Sequence, residues 1–449
     1  MFRFLCCQSL ILLVASIALA QSGTIPYSAF GMQCAPNSPY NCSNYIWPNT
    51  MAQPGIIRLW DSGVYWATLE HNGQGIYTWK NLDSWLDLIA GRTVDGGIPV
   101  QVIYTFGSVP LWAAPGGAKC CENSGTSSPP SDLTTSGSTF FNQFVTALVN
   151  HCSPAGNCVK NIIKYYEAWN EANYSSTACS ANSGGYYWAG STLQLYQMWS
   201  PAAAIIQGVV SGVTLTTPSW VNTTGFATWI DCWLNDELNN GVISQIYNYH
   251  EYLQDDTPEF RCCGGGTEDA VLIAPNYTVM GWTPLPLWKT ETNFNTTTYS
   301  CNLSIYSADD CTGQILRWQL LNSSNSVLSL NWYEWFRMIG TSGDQYDIAY
   351  YYMIQYLEGG NLTAPCSSSG GAPTYTCPFI ESDGSTALFV WTPNTSGTTY
   401  TVPSGYVDYL DQAGVSHGTS GGSVISITVQ PIMLEKNTVK RHCGPCDLS

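Results

Sequence analysis

The segment Lys164-Tyr-Tyr-Glu-Ala-Trp-Asn-Glu-Ala-Asn173 runs from an aromatic-rich stretch of strand character straight into Trp169-Asn170-Glu171. A second segment, Pro286-Leu-Trp-Lys-Thr-Glu-Thr-Asn293, carries Glu291 at its end. A single glutamate after a strand is most often a loop acid resting on the dipole of a following helix. Two at strand ends mean more, because a pair of carboxyls, one protonated and one ionised, is what cleavage of a glycosidic bond requires. In that chemistry Glu171 is the acid/base, its pKa raised by its surroundings, and Glu291 is the ionised nucleophile. Alternation places Lys289 on the side of Glu291, where a cation would depress the carboxyl pKa. It also groups Glu167, Trp169 and Glu171 on one side, with Asn170 opposite, unless a bulge intervenes.

Carboxyls so placed need strands to carry them. Short apolar, β-rich runs occur at 28–33, 55–60, 99–106, 162–169, 213–218, 245–250, 285–290 and 327–332. Stretches of helical spacing fall between them, at 82–91, 140–150, 193–210, 228–238 and 313–321, with a last one at 344–358. This alternation predicts an α/β fold, a (β/α)8 TIM barrel over 21–360, whose working residues sit at the C-terminal ends of the strands. An open doubly wound sheet is the alternative, but it calls for an early Gly-rich phosphate loop and the chain has none. From 361 to 436 the pattern changes to short alternating runs, such as 387–391, 399–402 and 424–429, between Gly/Ser/Asn turns. That predicts a small C-terminal antiparallel β-sandwich, followed by a tail at 437–449.

The ends and the composition place the chain. Arg3, an apolar run at 10–19 and Ala18-Leu-Ala20 make residues 1–20 an expected signal peptide, so a secreted protein is expected. No other stretch is long and apolar enough for a membrane anchor. Of the 18 cysteines, Cys6 and Cys7 leave with the signal, and 18 − 2 = 16 remain, an even number that suits disulfides. The short-range candidates are Cys34/Cys42, Cys152/Cys158, Cys301/Cys311 and Cys366/Cys377. Cys443-Gly-Pro-Cys446 has ligand-like spacing, but no second Cys/His pair of zinc-site type accompanies it, so no metal is expected. Asn-X-Ser/Thr sequons stand at Asn41, Asn173, Asn222, Asn276, Asn295, Asn302, Asn322, Asn361 and Asn394. With 14 Lys+Arg against 31 Asp+Glu the net charge is −17, which argues against nucleic acid as a partner. The 18 Trp and 28 Tyr argue for sugars, whose apolar faces stack on aromatic rings. Trp66, Trp112, Trp188 and Trp282 in loops would suit several subsites, and Asp61, Glu122 and Glu251 are further loop acids.

Taken together these segments resemble clan A glycoside hydrolases, and within them family 39 and its exopolysaccharide-cleaving relatives, over most of the mature chain. Gly55-Ile-Ile-Arg-Leu-Trp-Asp-Ser-Gly63 resembles the strand-two motif, which implies that Arg58 hydrogen-bonds the nucleophile. Tyr104-Thr-Phe-Gly-Ser-Val-Pro-Leu-Trp112 resembles the strand-three loop that floors the subsites; Tyr104 stands where many clan members carry His. His250-Glu-Tyr252 is similar to the His-X-Tyr of strand six that orients the nucleophile. Asn331-Trp-Tyr-Glu-Trp335 resembles the end of strand eight, where Trp335 or Trp332 would be the sugar platform. Asn170 would bind the 2-hydroxyl, and 431–435 would close the accessory sandwich. The resemblance implies a retaining β-glycosidase, needing no cofactor, acting as a monomer on a poly- or oligosaccharide. Endo action is favoured by the loop aromatics. An exo-acting, xylosidase-like enzyme and a non-catalytic carbohydrate-binding protein on a degenerate barrel are the alternatives.

Overall fold

The computed structural model describes residues 23–33, 45, 47–94, 97–120, 125–174, 179–181, 185–221, 226–241, 243–254, 256–263, 285–295, 298, 300–339, 342–370 and 373–436. The expected signal peptide, Cys34/Cys42, Glu122, Trp282, the sequons at Asn41, Asn222 and Asn276 and the C-terminal tail lie outside them.

Nine parallel strands form the main sheet: β1 (Phe30–Gln33), β2 (Ile56–Leu59), β3 (Gln101–Thr105), β4 (Tyr165–Glu167), β5 (Thr214–Thr216), β6 (Trp220–Val221), β7 (Tyr247–His250), β8 (Leu287–Thr292) and β9 (Val327–Trp332). Their order is β5-β4-β3-β2-β1-β9-β8-β7-β6. Every expected strand segment overlaps one of these strands, and 213–218 ends two residues before a second begins. The edge strands β5 and β6 thus belong to one stretch of chain, broken at 217–219, and Thr216 makes a parallel bridge to Ile246. Pro218 has no N–H to give a ladder, and Thr217 turns its hydroxyl to accept the Asn248 N–H at 2.9 Å. The expected closed ring is therefore not a continuous ladder: the sheet curls like an α/β barrel and is open at this break.

Side chains alternate along the strands and so form layers. Ile56, Ile103, Ile246 and Trp288 make a buried apolar cluster of their own. Two residues further along the same strands come Arg58, Thr105 and Asn248, all fully buried and polar, and β4 adds Glu167. The opposite phase, including Ile57, Leu59, Val102, Tyr104, Tyr166 and Leu215, joins the large core against the helices. Those helices are α1 (Lys80–Ile89), α2 (Thr139–Asn150), α3 (Thr192–Val209), α4 (Phe226–Asn240), α5 (Ala308–Ser324) and α6 (Gln345–Leu357). Several start where the sequence provides a cap. Ser191 and Gln194 form a capping box on α3, and Ser138 accepts from the Phe141 N–H on α2.

The remaining chain is antiparallel. β10 (Asn361–Leu362), β11 (Ser367–Ser369), β12 (Thr374–Ile380), β13 (Thr386–Trp391), β14 (Thr398–Thr401), β15 (Asp408–Leu410), β16 (Ser416–Gly418), β17 (Val424–Ile427) and β18 (Ile432–Glu435) follow in sequence. A seven-stranded sheet runs β10-β12-β13-β18-β15-β16, with β11 also on β12, and β14 pairs β17 separately. Along β13, Leu388 and Val390 pack with Val402, Ile427 and Leu434 in a small core of their own. Ala387, Phe389 and Trp391 face the other way and join the main core.

Disulfides join Cys152–Cys158, Cys301–Cys311 and Cys366–Cys377, as spaced in the sequence, and Cys179–Cys232 over a longer range. No helix among the described residues is long and apolar enough to cross a membrane. Three sequons are closed to glycosylation in the folded chain, because Asn173, Asn295 and Asn322 are buried. Asn173 spends its amide on the β6 backbone, donating to the Val221 carbonyl at 2.8 Å and accepting the Val221 N–H at 2.9 Å.

Candidate active site

The C-terminal ends of the strands enclose a cavity of about 390 Å³ whose lining includes Asn170, Glu171, His250, Tyr252 and Glu291. Arg58 lies behind them. As the inward residue two places after Ile56 it is fully buried, and it donates from Nη1 to Glu291 Oε2 at 2.9 Å and to Gln33 Oε1 at 3.1 Å. From Nη2 it donates to Glu167 Oε1 at 2.5 Å and to Asn170 Oδ1 at 2.6 Å. Glu167 also accepts from Ser219 Oγ at 3.0 Å and Asn248 Nδ2 at 2.9 Å. Since Arg58 can only donate, it fixes the Asn170 amide with its oxygen inward and leaves Nδ2 without a partner among the described residues.

Alternation stops at Glu167, the last residue of β4. Trp169 turns into the core and donates its indole N–H to the Tyr187 carbonyl at 2.9 Å. Glu171 takes a left-handed backbone, φ 41°, uncommon for a residue with a side chain. Its N–H donates to Ser219 Oγ at 3.2 Å. The break between β5 and β6 is thus where Ser219 reaches both glutamates of β4's end. Asn170 and Glu171 consequently both line the cavity, against the alternation expected from sequence.

Glu291 is held by three groups. Tyr252 donates its hydroxyl to Oε1, Arg58 holds Oε2, and His250 Nδ1 lies 3.9 Å from Oε2. Lys289 is not among them, which corrects the expectation from alternation. The register slips between Tyr249 and His250, pairing Tyr249 with Lys289 but His250 with Glu291. Lys289 instead donates to Glu251 Oε2 at 2.8 Å, its ammonium 3.8 Å from the centre of the Trp318 ring.

Glu171 Oε1 is 2.8 Å from His250 Nδ1. One donor atom from each of Glu171, His250 and Glu291 lies within 4.8 Å of the others. Three such atoms could in principle hold a cation. The Arg58 guanidinium on one oxygen of Glu291 and the Tyr252 hydroxyl on the other oppose it. Burial, and then the Glu291 charge, raise the Glu171 pKa well above its ordinary 4.5. Burial also lifts Glu291, to about 7, with Arg58 and the Tyr252 hydroxyl pulling against it. The order of the pair is the expected one; a depressed Glu291 is not found, because full burial outweighs the cation. Burial and Arg58 push His250 well below its usual value, so its ring is neutral.

The other expected contacts fall elsewhere. Tyr104 is one residue out of phase with the inward face of β3, and its hydroxyl donates to the Val64 carbonyl at 2.5 Å in the core. Trp112 is half-buried and does not line the cavity, its indole donating to the Glu70 carbonyl at 2.6 Å. Trp66 and Trp188 are fully buried, as are Trp332 and Trp335. Trp332 packs on Phe294 and Trp335 on Trp47. Neither lines the cavity. Besides Tyr252, the aromatic residues lining the cavity are Trp60, Tyr174, Tyr186, Tyr187 and Tyr333. Trp60 was findable, since it follows Arg58 by two and shares its inward phase. It seats its ring against Gly107, where a Cβ would stand 2.4 Å from Trp60 Cζ3. Of the loop acids, Asp61 and Glu251 do line the cavity. Asp61, at φ 55°, accepts from Tyr65 at 2.5 Å and from Tyr333 at 2.9 Å.

No protein-family model and no curated protein sequence matches the chain. Solved structures share its fold. A family 39 glycoside hydrolase from the gut symbiont Bacteroides cellulosilyticus WH2 superposes with TM-score 0.63 at 17% identity, over 91% of this chain and 81% of that one. A glucosidase from Croceicoccus marinus gives 0.60 at 14% identity, over 93% and 97%. A monomeric beta-xylosidase from Caulobacter crescentus CB15 gives 0.53 at 13% identity, over 85% and 89%. The resemblance to clan A glycoside hydrolases therefore extends to the fold over most of the chain.

Proposed function

We propose that this protein is a secreted retaining glycoside hydrolase working at the mouth of a (β/α)8-type barrel, with Glu171 as acid/base and Glu291 as nucleophile. The observation that carries this reading is the carboxyl pair itself, with oxygens within 4.8 Å of each other. Retaining enzymes hold their two carboxyls about 5–5.5 Å apart, whereas inverting ones leave about 6.5–9.5 Å for a water.

Glu291 attacks the anomeric carbon while Glu171 protonates the departing oxygen. Arg58 and Tyr252 hold both oxygens of Glu291 and favour its ionised form. In the second step Glu171 takes a proton from water, which releases the sugar. Neutral His250, donating from Nδ1, supports the carboxylate that the first step leaves on Glu171. Asn170 presents Nδ2 to the sugar's 2-hydroxyl, a contact that strengthens in the transition state. No step calls for a metal or an organic cofactor. The disulfides suit an oxidising, extracellular setting.

Tyr174 and Tyr186, 39% and 47% exposed, support endo action on a longer chain, because rings at a rim hold sugars beyond the cleavage site. The modest cavity supports the exo alternative, and product chain length separates the two. The non-catalytic reading leaves the bonded carboxyl pair without a purpose.

The test is hydrolysis of a panel of β-linked glycans by wild type, Glu171→Gln and Glu291→Gln, with the product anomer followed by NMR. Only the wild type should turn over, with the β-anomer appearing first and losses of about 10²–10⁴-fold for Glu171→Gln. Equal cleavage by all three proteins would put the site elsewhere. Appearance of the α-anomer first would make the reaction inverting.

A further inference from the structure

The ionisable side chains that line the cavity, apart from a neutral His250 and the tyrosines, are acidic. Asp61, Glu171, Glu251 and Glu291 line it, and no Lys or Arg whose side chain is described does. The cations behind the wall are already engaged: Arg58 with Glu167 and Glu291, Lys289 with Glu251. Both are fully buried. The stretches 175–178, 182–184, 222–225 and 264–284 contain neither Lys nor Arg in the sequence. His250 is neutral and its Nδ1 is taken by Glu171. The chain as a whole carries −17, a field that repels anions before they reach the mouth.

Asp61 gives this acidic lining a recognition role. Each of its oxygens already accepts one tyrosine hydroxyl, from Tyr65 and from Tyr333, which fixes the carboxylate plane at the cavity wall. A carboxylate accepts at about four lone-pair positions. The positions left over suit two hydroxyl donors on neighbouring carbons of one sugar ring, which reach a carboxylate as a pair. Trp60 and Tyr187, 5.6 Å apart between ring centres, stand beside Asp61 in the lining and offer an apolar face to the same ring.

Building on the glycosidase reading of this pocket, we propose that its substrates are uncharged glycosides. Asp61 is the specificity-determining residue: it binds vicinal hydroxyls and excludes sugars that carry a carboxylate or sulfate. A uronate entering the cavity would bring its charge to a wall of four carboxyls, where no described Lys or Arg side chain is free to receive it.

Binding is measured separately from turnover, so that the two readings fail separately. Methyl β-glucoside and methyl β-galactoside are titrated against intrinsic tryptophan fluorescence, alongside the methyl β-glucuronide and β-galacturonide, which differ from them at one carbon. We expect a neutral member to bind about tenfold or more tightly than its uronate. The gap should narrow with added salt in the wild type. It should narrow further in Asp61→Asn, with weaker neutral binding and an unchanged far-ultraviolet circular dichroism spectrum. Uronate binding equal to or tighter than neutral binding overturns the proposal, and so does absence of binding by every neutral sugar. Selective neutral binding without hydrolysis of any glycan would leave this inference standing and remove the glycosidase reading instead.

Discussion

Arg58 donates to two buried carboxylates at once, Glu167 and Glu291, so its single charge is shared and Glu291 is not fully neutralised. Burial keeps Glu291 and, more strongly, Glu171 hard to ionise, and the cost shows in stability. A carboxyl whose pKa is raised in the folded state holds its proton more tightly folded than unfolded. Its contribution to stability is complete below the unfolded value of 4.5 and is lost as pH climbs through the folded value, which for Glu171 is far higher. Each unit of such a shift is worth about 1.4 kcal/mol. Glu171→Gln removes the titrating group and keeps the shape. It should therefore raise Tm relative to wild type at about pH 7 and leave it unchanged at about pH 4, where both are uncharged. Calorimetry at the two pH values checks this; a variant less stable at neutral pH would show that Glu171 is a net structural support. At this scale strand-end position and residue type, which are local properties, made the pair legible, and Arg58 was legible only through the resemblance of its strand-two motif. It did not reveal Glu167 as the second partner of Arg58, because that contact depends on which strands sit side by side.

Between residue and molecule, the strands were legible through their apolar runs, and the phase of each side chain was legible only while the ladder stayed regular. Tyr104 and Trp332 were misplaced by phase, and Lys289 by the register slip between β7 and β8. The long-range Cys179–Cys232 disulfide had no signal at all, since 53 residues of sequence separate its ends. It links the stretch between Tyr174 and Tyr186 to α4, and so steadies the segment that supplies three of the cavity's rings. Closing a loop of that length restricts the unfolded chain by about 4 kcal/mol in the chain-entropy picture. The double variant Cys179→Ser/Cys232→Ser should lose roughly 2–4 kcal/mol of stability and also raise KM several-fold with little change in kcat. The Cys152–Cys158 bridge closes a small turn between α2 and β4, so Cys152→Ser/Cys158→Ser should lower stability alone. Steady-state kinetics on both variants separates the two. An unchanged KM in the first would mean that the tyrosines hold their places without the tether.

The two sheets share one core, so the C-terminal strands do not form an appendage. Phe379, Ala387, Phe389, Trp391 and Met433 are buried in the same cluster as the residues facing the helices. The joint is also polar. Trp391 donates its indole N–H to Glu259 Oε1 at 2.6 Å, Arg317 of α5 donates to both oxygens of Glu259 at 3.2 and 3.3 Å, and it bonds Asp310 with its other nitrogen at 2.5 Å. This is why α5 is buried on every side from Asp310 to Ser324 despite its polar residues. The barrel covers one face and the C-terminal segment the other, down to Gly313, where a Cβ would stand 2.3 Å from the Val429 carbonyl oxygen. The sequence marked the change in pattern after 360 but gave no sign that the second unit completes the first, because amphipathic alternation does not say what covers a face. Removing the Trp391 ring would empty a fully buried site and leave Glu259 one donor short, which together should cost about 3–5 kcal/mol. Trp391→Ala should then lower the Tm of the whole molecule in a single transition that fluorescence and circular dichroism report together. Two separated transitions, with the barrel melting where it does in the wild type, would show instead that the C-terminal sheet folds and unfolds alone.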